Sequence, residues 1–160
     1  MPETPSFVIP GNHDCYVPGS DAVMRHVFGD VMRGSHASSA LPVFQLGAVG
    51  SIIGCNPCRP ILLESSGLFP TAQLASLSTT LAQPNLGPVV LVATHYPVLT
   101  REGEPYHIKH PKHGVRNGGD FIECVRHHGM SPHIILHGHD HHGFHTTLGT
   151  DIAPLHCYRL

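Results

Sequence analysis

The strongest constraint on the fold is a run of five apolar, mostly β-branched residues at positions 89–93 (VVLVA). A run without polar alternation predicts a strand that is buried on both faces of a sheet. A similar short run occupies positions 134–136. Helical spacing of leucines at positions 71–81 and an apolar face at positions 120–128 predict a helix before each of these strands. Strands and helices that alternate in this way indicate a layered α/β fold.

The remaining patterns complete the predicted order of elements. A chain of 160 residues fits a single domain, residues 1–160. A polar stretch at positions 100–118 predicts a loop, and loops of this length are usually functional or mobile. The other predicted elements are a strand at 7–9, a helix at 20–32 with Val23, Val27 and Val31 on one face, a hairpin of strands at 43–46 and 51–54, and a strand at 144–148.

Composition narrows the classes of partner. The formal net charge is -2 and no long basic block occurs, which argues against nucleic acid. No apolar run approaches the roughly 20 residues that a membrane span needs. The five cysteines are an odd number and form no tidy disulfide framework, so we predict a reducing, cytoplasmic compartment. The Cys55-x-x-Cys58 pair stands alone and is weak evidence for zinc.

Metal-type ligands follow three of the predicted strands directly. They are Gly11-Asn12-His13-Asp14 after the first strand, His95 after the run at 89–93, and Gly138-His139-Asp140-His141 after the run at 134–136. Ligands at the carboxyl ends of strands can converge on one crevice. Each motif also has an ordinary interpretation. His95 alone is more often a hydrogen-bonded loop histidine, Asn12 is a common turn residue, and a chain with 16 histidines can have a His-rich edge.

These motifs, in this order, resemble the later motifs of the calcineurin-like metallophosphoesterase family, which read GNH[D/E], a single His after a strand, and GHxH. The resemblance covers about residues 7–144. It implies a four-layer α/β/β/α sandwich and hydrolysis of phosphoesters by a hydroxide that bridges two metal ions. Asn12, His95 and His139 would bind the second metal, and His141 would bind the first. His13 would act at the leaving-group oxygen as proton donor or stabiliser, and Asp14 would orient His13.

The resemblance also implies the kind of cofactor and substrate. Mixed imidazole and oxygen ligands suit Mn, Fe or Zn, and the sequence does not choose among them. The substrate would be a phosphorylated small molecule or a phosphoprotein, as monoester or diester. Substrate selection would lie in the loop at 100–118. Its four cations could meet a phosphate, but a solvated basic loop is the favoured interpretation; they are Arg101, Lys109, Lys112 and Arg116.

The sequence departs from the family pattern upstream of Gly11. The family has an Asp-x-His and a Gly-Asp motif there, but the ten residues before Gly11 contain neither Asp nor His. The pairs Gly29-Asp30 and Gly119-Asp120 lie downstream, in the wrong order. The second metal therefore keeps three ligands but lacks its bridging carboxylate, and the first keeps only His141. Three ligands can hold an ion and one cannot, so we predict at most one tightly bound metal.

Two explanations of the missing motifs remain open. The chain is either an N-terminally truncated piece of an enzyme or a short protein that has lost catalysis. The intact later motifs favour truncation, which predicts aggregation or poor folding of this chain alone. The alternative function is a non-catalytic metal-binding or interaction protein on the same fold. A third hypothesis is a His-rich metal buffer, in which other histidines matter as much as His139; these are His107, His110, His113, His127 and His128.

Overall fold

The structure, a computed structural model, describes residues 6–34, 41–61, 63–127, 133–148 and 155–159. Its strands are Val43–Gln45 (β1), Gly50–Cys55 (β2), Val89–Thr94 (β3), His133–His137 (β4), Phe144–Leu148 (β5) and Leu155–Arg159 (β6). They form one six-stranded sheet in the order β1-β2-β3-β4-β6-β5. The neighbours β2, β3, β4 and β6 run parallel, while β1 and β5 pair antiparallel at the two edges. The predicted α/β class is confirmed.

The helices either precede β1 or connect the parallel strands. They are Ser20–Val27 (α1), Gly29–Arg33 (α2), Thr71–Leu81 (α3), Tyr106–Lys109 (α4) and Gly118–His127 (α5). The helix predicted at 71–81 is confirmed at both ends. The helix predicted at 120–128 begins two residues earlier than expected, and His128 lies outside the described residues. Within the described part of the chain, no helix combines the length and the apolar character that crossing a bilayer would require.

The core lies between the sheet and the helices α3 and α5. All six residues of β2 are buried, as are four of the six in β3. Next to the contact between the two helices, the rings of Phe69 and Phe121 stack with centroids 4.5 Å apart and planes 8° apart. Complete burial of such a side chain stabilises the fold by about 2–3 kcal/mol. This packing fixes the carboxyl ends of β3 and β4 at one edge of the sheet.

The N-terminal segment differs from its prediction. The described residues 7–9 pair with no strand, so the expected strand there is wrong; the Val8 N–H instead donates to the Val31 carbonyl at 3.0 Å. The helix expected at 20–32 is divided at Phe28, whose φ of -111° and ψ of 20° leave the helical region. A short apolar run cannot by itself say whether a neighbouring strand will accept its hydrogen bonds, so the strand prediction failed there.

The other predictions of local structure are confirmed, with one refinement. The hairpin expected at 43–46 and 51–54 is the β1–β2 pair, and the strand expected at 144–148 is β5. The stretch at 100–118 contains the short helix α4. Its residues Tyr106 and Val115 are buried in the protein interior, so this connection is anchored to the core.

Candidate metal centre

Two adjacent strand ends supply the histidines of the candidate site. β3 ends at Thr94 and β4 ends at His137, and the two strands are parallel neighbours. Because parallel strands present their carboxyl ends at the same edge, His95 and His139 emerge side by side. The Gly138 N–H donates to the His95 carbonyl oxygen at 3.0 Å, which ties the two loops together. The ring centroids of His95 and His139 are 5.1 Å apart.

Asn12 reaches the same edge from the N-terminal segment. Asn12 is 2% exposed and directly precedes a short 3-10 turn, His13–Cys15. The Asp14 carboxylate closes the loop by accepting from the Gly11 N–H at 2.9 Å. A Cβ at position 11 would lie 3.1 Å from Cε1 of His95, so a side chain there would press on the imidazole. Glycine therefore allows the backbone to approach the ring closely.

The three predicted ligands of the second metal converge. Oδ1 of Asn12 lies 2.7 Å from Nε2 of His95, and that nitrogen lies 3.2 Å from Nδ1 of His139. These residues are 83 and 44 positions apart in the sequence. The Asn12 oxygen and the His139 nitrogen thus both meet Nε2 of His95, which is the convergence point of the cluster. The convergence on which the motif interpretation depended is present, and the role of these side chains as metal ligands stays a prediction.

Two residues of this cluster escaped the sequence analysis. Nδ2 of Asn12 donates to the Tyr16 hydroxyl at 2.6 Å and to Oγ of Ser65 at 3.0 Å. Oγ of Ser65 also lies 3.3 Å from Nε2 of His139. Serine in a polar turn is too common to attract attention from residue type alone. Only the folded chain reveals that Ser65 touches two of the three converging side chains.

The electrostatics of the cluster favour neutral imidazoles. Burial, together with the neighbouring His95 and His113, lowers the pKa of His139 to about 4. Burial also lowers the pKa of His95, although the nearby Asp14 carboxylate opposes that effect. A neutral imidazole has a lone pair for a metal, whereas a protonated one does not. Both imidazoles are therefore neutral at neutral pH, which is the charge state that metal coordination requires.

The remaining predicted site residues lie at the rim. His13 and His141 are exposed, and the charge of each lowers the pKa of both His95 and His139. The His13 ring meets the Tyr16 ring edge-on at 4.9 Å. Asp14 is bonded to the Gly11 N–H, so the structure gives it the task of holding the loop, and its predicted orientation of His13 stays a prediction.

The GHDH turn is unusual in its backbone. His139 has φ 79° and His141 has φ 54°, both in the left-handed region that favours glycine. Such conformations cost of order 1–3 kcal/mol each and persist where the surroundings enforce them, often at functional sites. This turn therefore places histidine where local stability would favour another residue.

A carboxylate also approaches the cluster. Oδ1 of Asp140 lies 3.9 Å from Nε2 of His139, and the Tyr106 hydroxyl donates to the same carboxylate. Nε2 is the ring nitrogen that faces Ser65, whereas Nδ1 faces His95. Asp140 consequently lies behind His139 and not at the point where the three ligands converge.

The cysteine pair does not act as a unit. Cys55 is buried in the core, and the neighbouring thiol that acts on its pKa is Cys124. Cys58 instead interacts with Cys15 and donates to the Pro10 carbonyl at 3.6 Å. Burial raises the pKa of both thiols of the pair. The two sulfurs face different neighbours, which gives no support to a zinc site at Cys55-x-x-Cys58.

The cations of the loop at 100–118 are partly neutralised. Nζ of Lys109 lies 2.8 Å from the Glu104 carboxylate and 3.7 Å from that of Glu102. Arg116 is paired with Glu64. These partners agree with the solvated basic loop that the sequence analysis favoured over a phosphate-binding one.

Comparison with known proteins gives no independent assignment. No protein-family model matches the sequence, and no curated protein matches it. Within the residues that the structure describes, no three of His, Cys, Asp and Glu form a group that could hold a metal ion. The converging set reaches three members only with the amide oxygen of Asn12. Its interpretation therefore depends on the geometry of the cluster and on the order of the motifs.

Proposed function

We propose that this chain carries the second-metal site of a phosphoester hydrolase of the calcineurin-like metallophosphoesterase type. The observation that supports the proposal is the meeting of Asn12, His95 and His139 from three distant stretches. The residue types and their order agree with the family motifs GNHD, strand-His and GHxH. The finer fold that accompanies the proposal is the four-layer sandwich, of which the six-stranded sheet with its helices would be one half.

The donor atoms fit a divalent ion. Ligand atoms at about 2.0–2.2 Å from a common ion lie roughly 3.0–3.4 Å from one another. The separations of 2.7 Å and 3.2 Å therefore require only a small expansion of the cluster. One oxygen and two imidazole nitrogens suit Mn, Fe or Zn. The depressed pKa of each histidine keeps its imidazole neutral, as coordination of a metal requires.

Each predicted site residue of the three motifs has a distinct proposed role. Asn12, His95 and His139 would hold the ion, and His141 would contribute to the first metal of the complete site. The metals, when bound, would supply positive charge to the phosphoryl oxygens and activate water. His13 is exposed at the rim, where it could transfer a proton to the leaving-group oxygen. Asp14 would keep the loop closed through the Gly11 N–H.

The ligand count limits what the chain does alone. Only His141 is available for the first metal among the motif residues, so we propose at most one tightly bound ion per chain. The substrate class is a phosphorylated small molecule or a phosphoprotein, and the proposed compartment is the cytoplasm. The alternative is a non-catalytic metal-binding or interaction protein.

The experiment is metal analysis after dialysis, together with hydrolysis of p-nitrophenyl phosphate and its bis ester. We expect one retained Mn²⁺ or Zn²⁺ per wild-type chain. His139→Ala should abolish tight binding, because it removes one of three ligands. The matched control is His110→Ala, since the His110 ring stacks on Tyr106 and not on the cluster. All variants should first be compared by thermal unfolding.

The outcomes separate the hypotheses. One ion with phosphoester hydrolysis supports the enzyme, and one ion without hydrolysis supports the non-catalytic alternative. Two retained ions contradict the ligand count. Equal losses in His139→Ala and His110→Ala favour the His-rich buffer. No retained ion in a folded wild-type chain refutes the metal site itself.

A further inference from the structure

We propose that Ser65 is a positioning residue, whose hydroxyl determines which atoms of Asn12 and His139 face the convergence point. The metal-binding consequence rests on the proposed function, but the arrangement of hydrogens does not. Nothing in the motifs GNHD, strand-His or GHxH includes this residue. Ser65 lies 53 positions from Asn12 and 74 from His139, so only the tertiary structure brings the three together.

The amide of Asn12 has hydrogen-bonding partners for both of its ends. Its Nδ2 has two hydrogens, and both have acceptors, the Tyr16 hydroxyl at 2.6 Å and Oγ of Ser65 at 3.0 Å. In this orientation of the amide, Oδ1 is the atom that lies 2.7 Å from Nε2 of His95. An amide oxygen only accepts hydrogen bonds, so Nε2 of His95 carries the hydrogen in the metal-free protein.

The neighbouring His95 ring favours one tautomer of His139. The hydrogen on Nε2 of His95 is directed to Asn12, and a second hydrogen on Nδ1 of His139, 3.2 Å from that nitrogen, would face it unfavourably, so Nδ1 is the nitrogen without a hydrogen. A neutral imidazole with a free Nδ1 carries its hydrogen on Nε2. That nitrogen faces Oγ of Ser65 at 3.3 Å, and the hydroxyl accepts from it. A serine oxygen has two lone pairs, so it can accept from Asn12 and from His139 together.

The consequence is that one hydroxyl orients two ligands. With both N–H groups directed at Ser65, the lone pairs of Oδ1 and Nδ1 are directed toward the convergence point. Removal of the hydroxyl leaves two donors without this acceptor, and the amide and the imidazole can then turn over or change tautomer. Outer partners of metal ligands commonly act in this way, and their loss typically costs 10–100-fold in metal affinity.

The first test determines the tautomer of His139 in the metal-free protein. Ring nitrogens of ¹⁵N-histidine-labelled apo protein are observed by NMR near neutral pH, and the His139 signals are assigned by their loss in His139→Ala. We expect the Nε2–H tautomer in the wild type. Ser65→Ala should populate the Nδ1–H tautomer. Ser65→Thr retains a hydroxyl and should restore the wild-type pattern, whereas a merely structural role for Ser65 would leave the tautomer unchanged.

The second test measures Mn²⁺ affinity by isothermal titration. Ser65→Ala should weaken binding by about tenfold or more, and Ser65→Thr should stay within about threefold of the wild type. The matched control is Ser66→Ala. Ser66 is the next residue and is buried, but its hydroxyl donates to Glu64 and accepts from Arg59. It should leave the His139 tautomer and the Mn²⁺ affinity near wild type.

Failure of the proposed function can be distinguished from failure of this inference. If the folded wild type does not bind Mn²⁺, the metal site is wrong, and the tautomer of His139 still decides the role of Ser65. The inference is overturned if folded Ser65→Ala retains the Nε2–H tautomer. It is also overturned if Ser66→Ala changes the tautomer or the affinity as much as Ser65→Ala does.

Discussion

Helices α1 and α5 look alike in the sequence and behave differently in the structure. Both combine apolar residues at helical spacing with charged residues on the opposite side. In α5, Phe121 and Val125 are completely buried. In α1, Val23 and Val27 are each 62% exposed, and none of its eight residues, all of which the structure describes, is buried. Periodicity thus reveals that an apolar face exists but not what covers it.

The difference follows from the neighbours of each helix. α5 lies against α3 and the core formed by β3 and β4, whereas α1 contacts the short turn His13–Cys15 and α2. A helix in a protein takes most of its stability from packing of its apolar face. We therefore expect the region around the sheet to be the stable part of this molecule. The candidate metal centre lies at the junction, since Asn12 comes from the N-terminal segment and the histidines come from strand ends.

The largest effect should come from truncating a buried side chain of α5. Phe121→Ala removes a ring that stacks on Phe69, and it should lower the free energy of unfolding by about 3–5 kcal/mol. Val23→Ala in α1 is the control, and it should change that free energy by no more than about 0.5 kcal/mol. Urea unfolding followed by circular dichroism measures both. Similar losses in the two variants would remove the distinction between the regions.

Acid should destabilise the region around the sheet, because His139 follows the end of β4. Burial lowers the pKa of His139 to about 4, against about 6.5 when unfolded, so the unfolded state binds more protons between these values. The contribution of His139 to the free energy of unfolding of the apo protein should thus be full above about pH 6.5. It should decline toward pH 4, by up to roughly 3 kcal/mol.

The measurement is urea unfolding across this pH range with a chelator present. His139→Ala removes the group and should flatten the decline. An equally steep decline in that variant would assign the acid sensitivity to other groups.

A smaller effect should come from the left-handed backbone positions, which carry glycine in one region and histidine in the other. The N-terminal segment places Gly19, with φ 85°, before α1, whereas the GHDH turn places His141 at φ 54°. His141→Gly should be more stable than His141→Ala by about 0.5–1 kcal/mol, because glycine adopts this conformation without a Cβ penalty. Thermal unfolding of the two variants measures the difference. A more stable alanine variant would show that position 141 is not strained.

The smallest effect should come from charging the exposed face of α1. Val27→Lys places a charge on a side chain that is already in solvent, so stability should change by no more than about 0.5 kcal/mol. Thermal unfolding and gel filtration should both match the wild type. A loss above 1 kcal/mol would mean that this face is covered in solution and would break the comparison.

Much of the local structure was predictable from residue order. The run at 89–93 has no polar alternation, and it is a buried strand. The leucines at 74, 77 and 81 predicted α3 with its bounds. The conformation of residues 7–9 was not predictable, because three apolar residues are compatible with any conformation that buries them. Val8 found its partner in the Val31 carbonyl of α2 and not in another strand.

The sequence alone determined which chemical groups follow the strands: an amide at Asn12 and imidazoles at His95, His139 and His141. It determined this because residue type and local hydrophobic period are properties of neighbouring positions. Only the tertiary structure decided that Asn12, His95 and His139 meet and that Ser65 stands behind two of them. It also decided that α1 is exposed, because burial depends on residues that are distant in the chain.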